Sequence, residues 1–163
     1  MNVRLLCIYL FLSQVLTVIK DLRDKNQFVR KVAAGDLHAV VVTGSGSVWT
    51  WGHNSDGQLG LGDTVRRSVP HAVLSLSALV VVAAAAGASH SLVLTAGGQV
   101  WAFGNNQRGQ LGVGDLSPRY TPTQVIGALA SVSVTAITAG QYDSCLDVLI
   151  FALSHFFCFL QVS

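Results

Sequence analysis

The run "VWTWGHNSDGQLGLGD" at 48–63 returns as "VWAFGNNQRGQLGVGD" at 100–115. A catalytic loop is needed once, whereas a unit that stacks on copies of itself is needed repeatedly. Extending the match outward, residues 35–73 slide onto 87–125 with no gap, and 18 of those 39 positions are identical. The shared positions include Gly35/Gly87, His38/His90, Trp49/Trp101, Gly52/Gly104 and Asn54/Asn106. They continue through Gly57-Gln58-Leu59-Gly60 and Gly109-Gln110-Leu111-Gly112, then Gly62-Asp63 and Gly114-Asp115, to Pro70 and Pro122.

Each copy reads as β structure. "HAVVVT" and "HSLVLT" precede Gly-containing links, and "SVWTWG" and "QVWAFG" follow them, the pattern of a hairpin built from strand-preferring residues. "VVVAAAAG" ahead of the second pair suits a crowded inner strand, and stretches ending near "PHAVL" and "PTQVI" supply a fourth. Four strands in roughly fifty residues is the size of a propeller blade. The expected fold is therefore all-β: four-stranded antiparallel propeller blades in an incomplete ring, about two whole with partial blades at each end.

The glycines carry the next expectation. All 16 lie between Gly35 and Gly140, and in "NSDGQLGLGD" they recur every two or three residues, a spacing no helix or strand interior favours. Such a loop is expected to fold back over its own blade, with Leu59 or Leu111 plugged into the core and Asp63 or Asp115 closing an Asx turn. The structural core of the repeat is thus assigned to Gly35, His38, Trp49, Trp51, Gly52, Gly57, Leu59, Gly62 and Asp63. Its second copy comprises Gly87, His90, Trp101, Gly104, Gly109, Leu111, Gly114 and Asp115.

These strings, from "AAGASHSLVLT" through "GGQVWAFGNNQRGQLGVGD" to the following Pro and Val, resemble the regulator of chromosome condensation repeat. The resemblance covers about residues 18 to 146, and it implies a seven-bladed propeller of which this chain carries about two blades. A third copy starts at "ITAGQYDSC" (137–145), with Asp143 where the histidine would stand, and breaks after Leu146. The expected organisation is an apolar segment over 1–17, the tail of a preceding repeat over 18–34, and repeats over 35–86 and 87–139. A broken third repeat over 140–147 and an apolar tail over 148–163 complete it. Met-Asn-Val-Arg followed by "LLCIYLFLSQVLTVI" is signal-like but lacks a cleavage site, and the tail is short for an anchor. Both ends are expected to be artefacts of the gene reading in a piece of a longer protein, with membrane segments as the alternative.

Chemistry is sparse. The net charge is +2, too small to argue for nucleic acid or an acidic membrane, and three cysteines, Cys7, Cys145 and Cys158, form no CxxC. His38 and His90 share one repeat position, which points to a structural hydrogen bond once per blade rather than a metal site. "GQLGLG" lacks the Lys-Ser/Thr of a phosphate loop, and no Ser lies in a G-x-S-x-G setting. Catalytic residues, cofactors and metals are not expected. Loops on a rigid scaffold are where binding lives, so Asp56, Arg66, Arg67, Arg108 and Arg119 are the candidates for holding a partner. The resemblance implies a protein-interaction module, cytoplasmic or nuclear. Its alternatives are nucleotide exchange on a Ran-type small GTPase and the substrate-binding part of a HECT-type ubiquitin ligase.

Overall fold

The computed structural model describes residues 28–125, 133–141, 144–150 and 153–159. The expectations for residues 1–17, for most of 18–34 and for Asp143 lie outside them. The first sheet comprises β1 (Val29–Ala34), β2 (His38–Thr43), β3 (Val48–Gly52) and β4 (Arg67–Ala72), paired antiparallel in chain order. A 3-10 turn over Leu74–Leu76 leads to the second, β5 (Val81–Ala86), β6 (His90–Thr95), β7 (Val100–Gly104) and β8 (Arg119–Gln124). A third sheet has β9 (Ser133–Ala139), β10 (Ser144–Ile150) and β11 (Leu153–Phe159) in order.

The first two sheets share one register. His38 faces Gly52 and Ala39 faces Trp51 across β2 and β3, as His90 faces Gly104 and Ser91 faces Phe103 across β6 and β7. Even the irregularities recur: the β1–β2 ladder slips between Val29 and Lys31, and the β5–β6 ladder between Val81 and Ala83. Each blade starts one strand before the Gly35 and Gly87 from which the sequence period was counted. β10 also runs past Leu146 and pairs with β11, so 148–150 and 153–159 of the stretch expected to be an apolar tail are extended backbone in this sheet. A short apolar run does not by itself distinguish strand from other buried segments. Among the described residues, no helix is long and apolar enough to cross a membrane.

The middle strands β2 and β6 are buried on both faces, so alternate residues serve different neighbours. Ala39 and Val41 pack with Trp51, while Val40 and Val42 turn to the opposite side. There they meet Val81, Val93 and Phe103 of the second blade, with Val73 and Leu76 of the connecting segment closing the cluster. Leu92, Leu94, Val100 and Ala102 carry the same arrangement on to Val134 of β9. The inner ends approach so closely that a methyl group on Gly35 would collide with the Gly87 carbonyl and the His38 ring. Gly87 stands in the same relation to the Gly140 carbonyl and His90. The outer strands β4 and β8 are edges, and each carries a proline, Pro70 and Pro122, of the kind that blunts edge-to-edge pairing.

Phe103 is fully buried at the junction of the two blades. Phe103→Ala is expected to cost about 3–5 kcal/mol, and Val69→Ala on the exposed edge of β4 within about 0.5 kcal/mol. Urea unfolding of the two variants checks the contrast.

Candidate functional site

The loops joining β3 to β4 (53–66) and β7 to β8 (105–118) form one layer on the blades. Each is organised by an asparagine. The Asn54 side chain accepts from the Leu59 N–H at 2.9 Å and donates to the Asp63 carbonyl at 2.8 Å. Asn106 accepts from Leu111 at 3.0 Å and donates to the Asp115 carbonyl at 2.7 Å. The loop is thereby cinched so that Leu59 and Leu111 point inward and are buried. Asp63 Oδ1 accepts the Val65 N–H and Asp115 Oδ1 the Ser117 N–H, each at 2.8 Å, which closes an Asx turn in both copies.

The second carboxylate oxygen holds an arginine. Arg67 Nη2 lies 2.6 Å from Asp63 Oδ2, and Arg119 Nη2 lies 2.6 Å from Asp115 Oδ2. Each arginine also donates to a carbonyl inside the turn, Val65 at 2.7 Å and Ser117 at 2.8 Å. The Val65 N–H, with Arg67 and Asn54, holds the Asp63 carboxyl below the usual range. Arg119 first, then the Ser117 N–H, does the same for Asp115. Arg67 and Arg119 were grouped with the partner-facing loop residues on sequence; the structure places them at the start of β4 and β8, bonded to their own loops. The signal was present, since these two arginines are identical across the repeat, as structural residues are.

The loop does more than fold over its own blade, because it reaches the next one. Ser91 Oγ donates to the Gln58 carbonyl at 2.8 Å, so it must accept from His38, whose Nε2 lies 2.8 Å away. His38 is therefore the Nε2–H tautomer, and a buried chain runs from the first blade through Ser91 and back to the first blade's loop. His90 Nε2 meets Ser144 Oγ at 2.9 Å, repeating the contact toward the third sheet. Burial pushes His38 down to about 4; the nearby His90 ring pushes the same way, against the opposing pull of the His90 backbone as hydrogen-bond acceptor. Further out, Gly62 N donates to the Tyr120 carbonyl at 2.9 Å and Asn105 Nδ2 donates to Asp56 Oδ1 at 2.9 Å. Tyr120 carries no repeat signal, since the first copy has Ser68 at that place, and Ser91 is matched by Ser144 of the broken third copy but not by Ala39 of the first.

All five candidate loop residues lie in this layer or at its edge. Asp56 is half-buried and tied to Asn105, whereas Arg66 and Arg108 are exposed. Below the layer, a groove of about 420 Å³ is lined by Gly60, Leu61, Arg67, His71, Leu74 and Thr121 among others. Its Arg67 is bound to Asp63, and His71 Nδ1 lies 2.9 Å from the Val69 carbonyl. Among the described residues, no three His, Cys, Asp or Glu side chains gather as a metal site would require.

The model of the regulator of chromosome condensation (RCC1) repeat matches residues 45–94 and 97–146, and a second model of that repeat matches 29–58 and 81–110. The RCC2 homolog of Xenopus laevis is 45% identical over 101 residues, covering 60% of this chain and 20% of that protein. Human WBSCR16 superposes with a TM-score of 0.67 at 27% identity, over 72% of this chain and 30% of that one. Prp20p of Saccharomyces cerevisiae, at 18% identity, has a TM-score of 0.68 over 85% of this chain and 32% of its own, a likeness of fold. The chain thus spans about a fifth of the length of the RCC2 proteins it matches.

Two outcomes follow from this geometry. Gly57 and Gly109 hold one repeat position at φ +80° and +72°, but a Cβ on Gly57 would lie 2.7 Å from Tyr120 Cα, while on Gly109 the nearest atom is Leu116 Cδ2 at 3.7 Å. Gly109→Ala should cost about 1–2 kcal/mol for the left-handed backbone alone, and Gly57→Ala about 1–3 kcal/mol more for the collision with the next blade. Thermal unfolding of the pair measures the difference. For pH, the unfolded chain takes up the His38 proton near 6.5 and the folded chain only near 4. The contribution is therefore complete above pH 6.5 and declines as pH falls toward 4, by about 3 kcal/mol in all. His38→Gln should flatten that part of the stability–pH curve.

Proposed function

The chain belongs to the regulator of chromosome condensation repeat family, and from that premise we propose that it is a protein-interaction module. Its contact surface is the layer of loops at 53–66 and 105–118. One observation carries this reading. Within the layer, the side chains common to both copies hold the loops together: Asn54 and Asn106, Leu59 and Leu111, Asp63 and Asp115, Arg67 and Arg119. Of the positions that differ between copies, Ser55 and Gln107, Thr64 and Leu116, Val65 and Ser117, and Arg66 and Pro118 are exposed; half-buried Asp56 is matched by exposed Arg108, while His53 and Asn105, and Leu61 and Val113, are half-buried. A constant frame with variable tips is how a rigid scaffold presents a binding surface.

The work of such a surface is binding, not covalent catalysis, and the cytoplasm or nucleus is where we place it. A small GTPase is the second reading for the partner. Prp20p, whose fold this chain shares, binds Gsp1p and histones, which supports a protein partner of this class. Exchange would then rest on binding energy that opens the nucleotide site.

Arg66→Glu with Arg108→Glu is expected to leave the unfolding midpoint almost unchanged, within about 0.5 kcal/mol. With a Ran-type GTPase as the probe, the interaction reading expects binding weakened about tenfold or more by the double change and no faster release of labelled GDP. Faster release at micromolar chain would favour exchange. Binding indifferent to both substitutions would overturn the assignment of the surface.

A further inference from the structure

The second loop differs from the first at a place where the fold asks for nothing. Val65 and Ser117 occupy the same position, and both turns use only its backbone: the N–H donates to Asp63 or Asp115, and the carbonyl accepts from Arg67 or Arg119. The hydroxyl of Ser117 is thus an addition to the repeat, and so is the proline after it, Pro118, where the first copy has Arg66. Residues 114–118 are all exposed. A residue before proline is held toward extended backbone, the conformation in which a peptide enters a kinase cleft.

We propose that Ser117 is a phosphorylation site for a proline-directed serine/threonine kinase, and that its phosphate acts as a charge switch on the second loop. The reaction joins Ser117 Oγ to the γ-phosphorus of ATP as the bond to the ADP leaving group breaks, and the hydroxyl proton passes to the base of the kinase. The product carries close to two negative charges and three acceptor oxygens. It is carried by the residue whose N–H and carbonyl bond the two members of an existing ion pair, Asp115 and Arg119, whose oxygen and nitrogen are 2.6 Å apart. The phosphate repels the Asp115 carboxylate and competes for the Arg119 guanidinium. The same carboxylate closes the Asx turn at Ser117 and lies 3.4 Å from Asn106 Nδ2, which also holds the Asp115 carbonyl, so exchange of the ion pair loosens residues 105–116. The first loop, with Val65 at this place, has no such switch.

The chain contains its own comparison. Thr121-Pro122, four residues on, also sets a hydroxyl residue before proline, and Thr121 is exposed, but it is held inside β8 with Pro122 buried and the neighbouring Tyr120 carbonyl bonded to Gly62. Reaching it requires local unfolding of β8.

The test incubates the full chain, folded and heat-denatured, with a purified cyclin-dependent kinase and Mg-ATP, and maps phosphate by mass spectrometry. The expected result is Ser117 labelled in the folded chain, Thr121 labelled about tenfold less or below, and both labelled after denaturation. Ser117→Ala should remove the folded-state signal and Thr121→Val should leave it. Amide exchange should then be several-fold faster over 105–116 in the phosphorylated chain and unchanged over 53–64. A folded chain unlabelled at Ser117, or labelled equally at Thr121, overturns the site; unchanged exchange over 105–116 overturns the switch.

Discussion

The hydrogen bond between His38 and Ser91 joins the middle strands of two sheets whose facing sides are otherwise packed by apolar contact. It is 2.8 Å long and has no access to water. A blade of this kind has two apolar faces, so it cannot bury itself; it needs a neighbour on each side. Apolar packing supplies attraction but little directional preference. The polar chain from His38 through Ser91 to the Gln58 carbonyl supplies the direction, because each group must find its partner or remain buried and unpaired.

Much else is placed by that contact. With β2 set against β6 in this orientation, Val40 and Val42 meet Val93 and Phe103, and the inner glycines come within touching distance of the next blade's backbone. The first loop then lies on β8 and the second loop, where Gly62 finds the Tyr120 carbonyl and Asp56 finds Asn105. The asparagine hub, the Asx turn and the arginine lock fix the loop's shape before it reaches across. Variation is left for the outward tips, which is why the same layer that secures the blades also serves as a surface for recognition.

The blade itself was legible in the sequence because a repeat states its structural residues twice. The hairpins, the buried Leu59 and Leu111, the Asx turns at Asp63 and Asp115 and the polar role of His38 all follow from positions shared by two copies. The contacts between blades were harder to see. Ser91 pairs with a histidine 53 residues earlier; its repeat position is Ala39 in the first copy and Ser144 in the broken third, and a shared position does not say which blade a side chain bonds to. Tyr120 contributes a backbone carbonyl, which no side-chain pattern records. The reach of the glycine loop to the next blade was missed for the same reason: spacing shows that a loop is tight, not which sheet it touches. Arg67 and Arg119 show the converse case: the repeat shares them, as it shares its structural residues, and each is ion-paired within its own loop.

Native-state hydrogen exchange across β2 and β6 tests the central claim most directly, that the blades are stable only as neighbours. The account predicts that the slowest amides of His38–Thr43 and of His90–Thr95 open with one common free energy and respond together to denaturant. Two separate opening free energies, with one strand protected while the other exchanges freely, would contradict it.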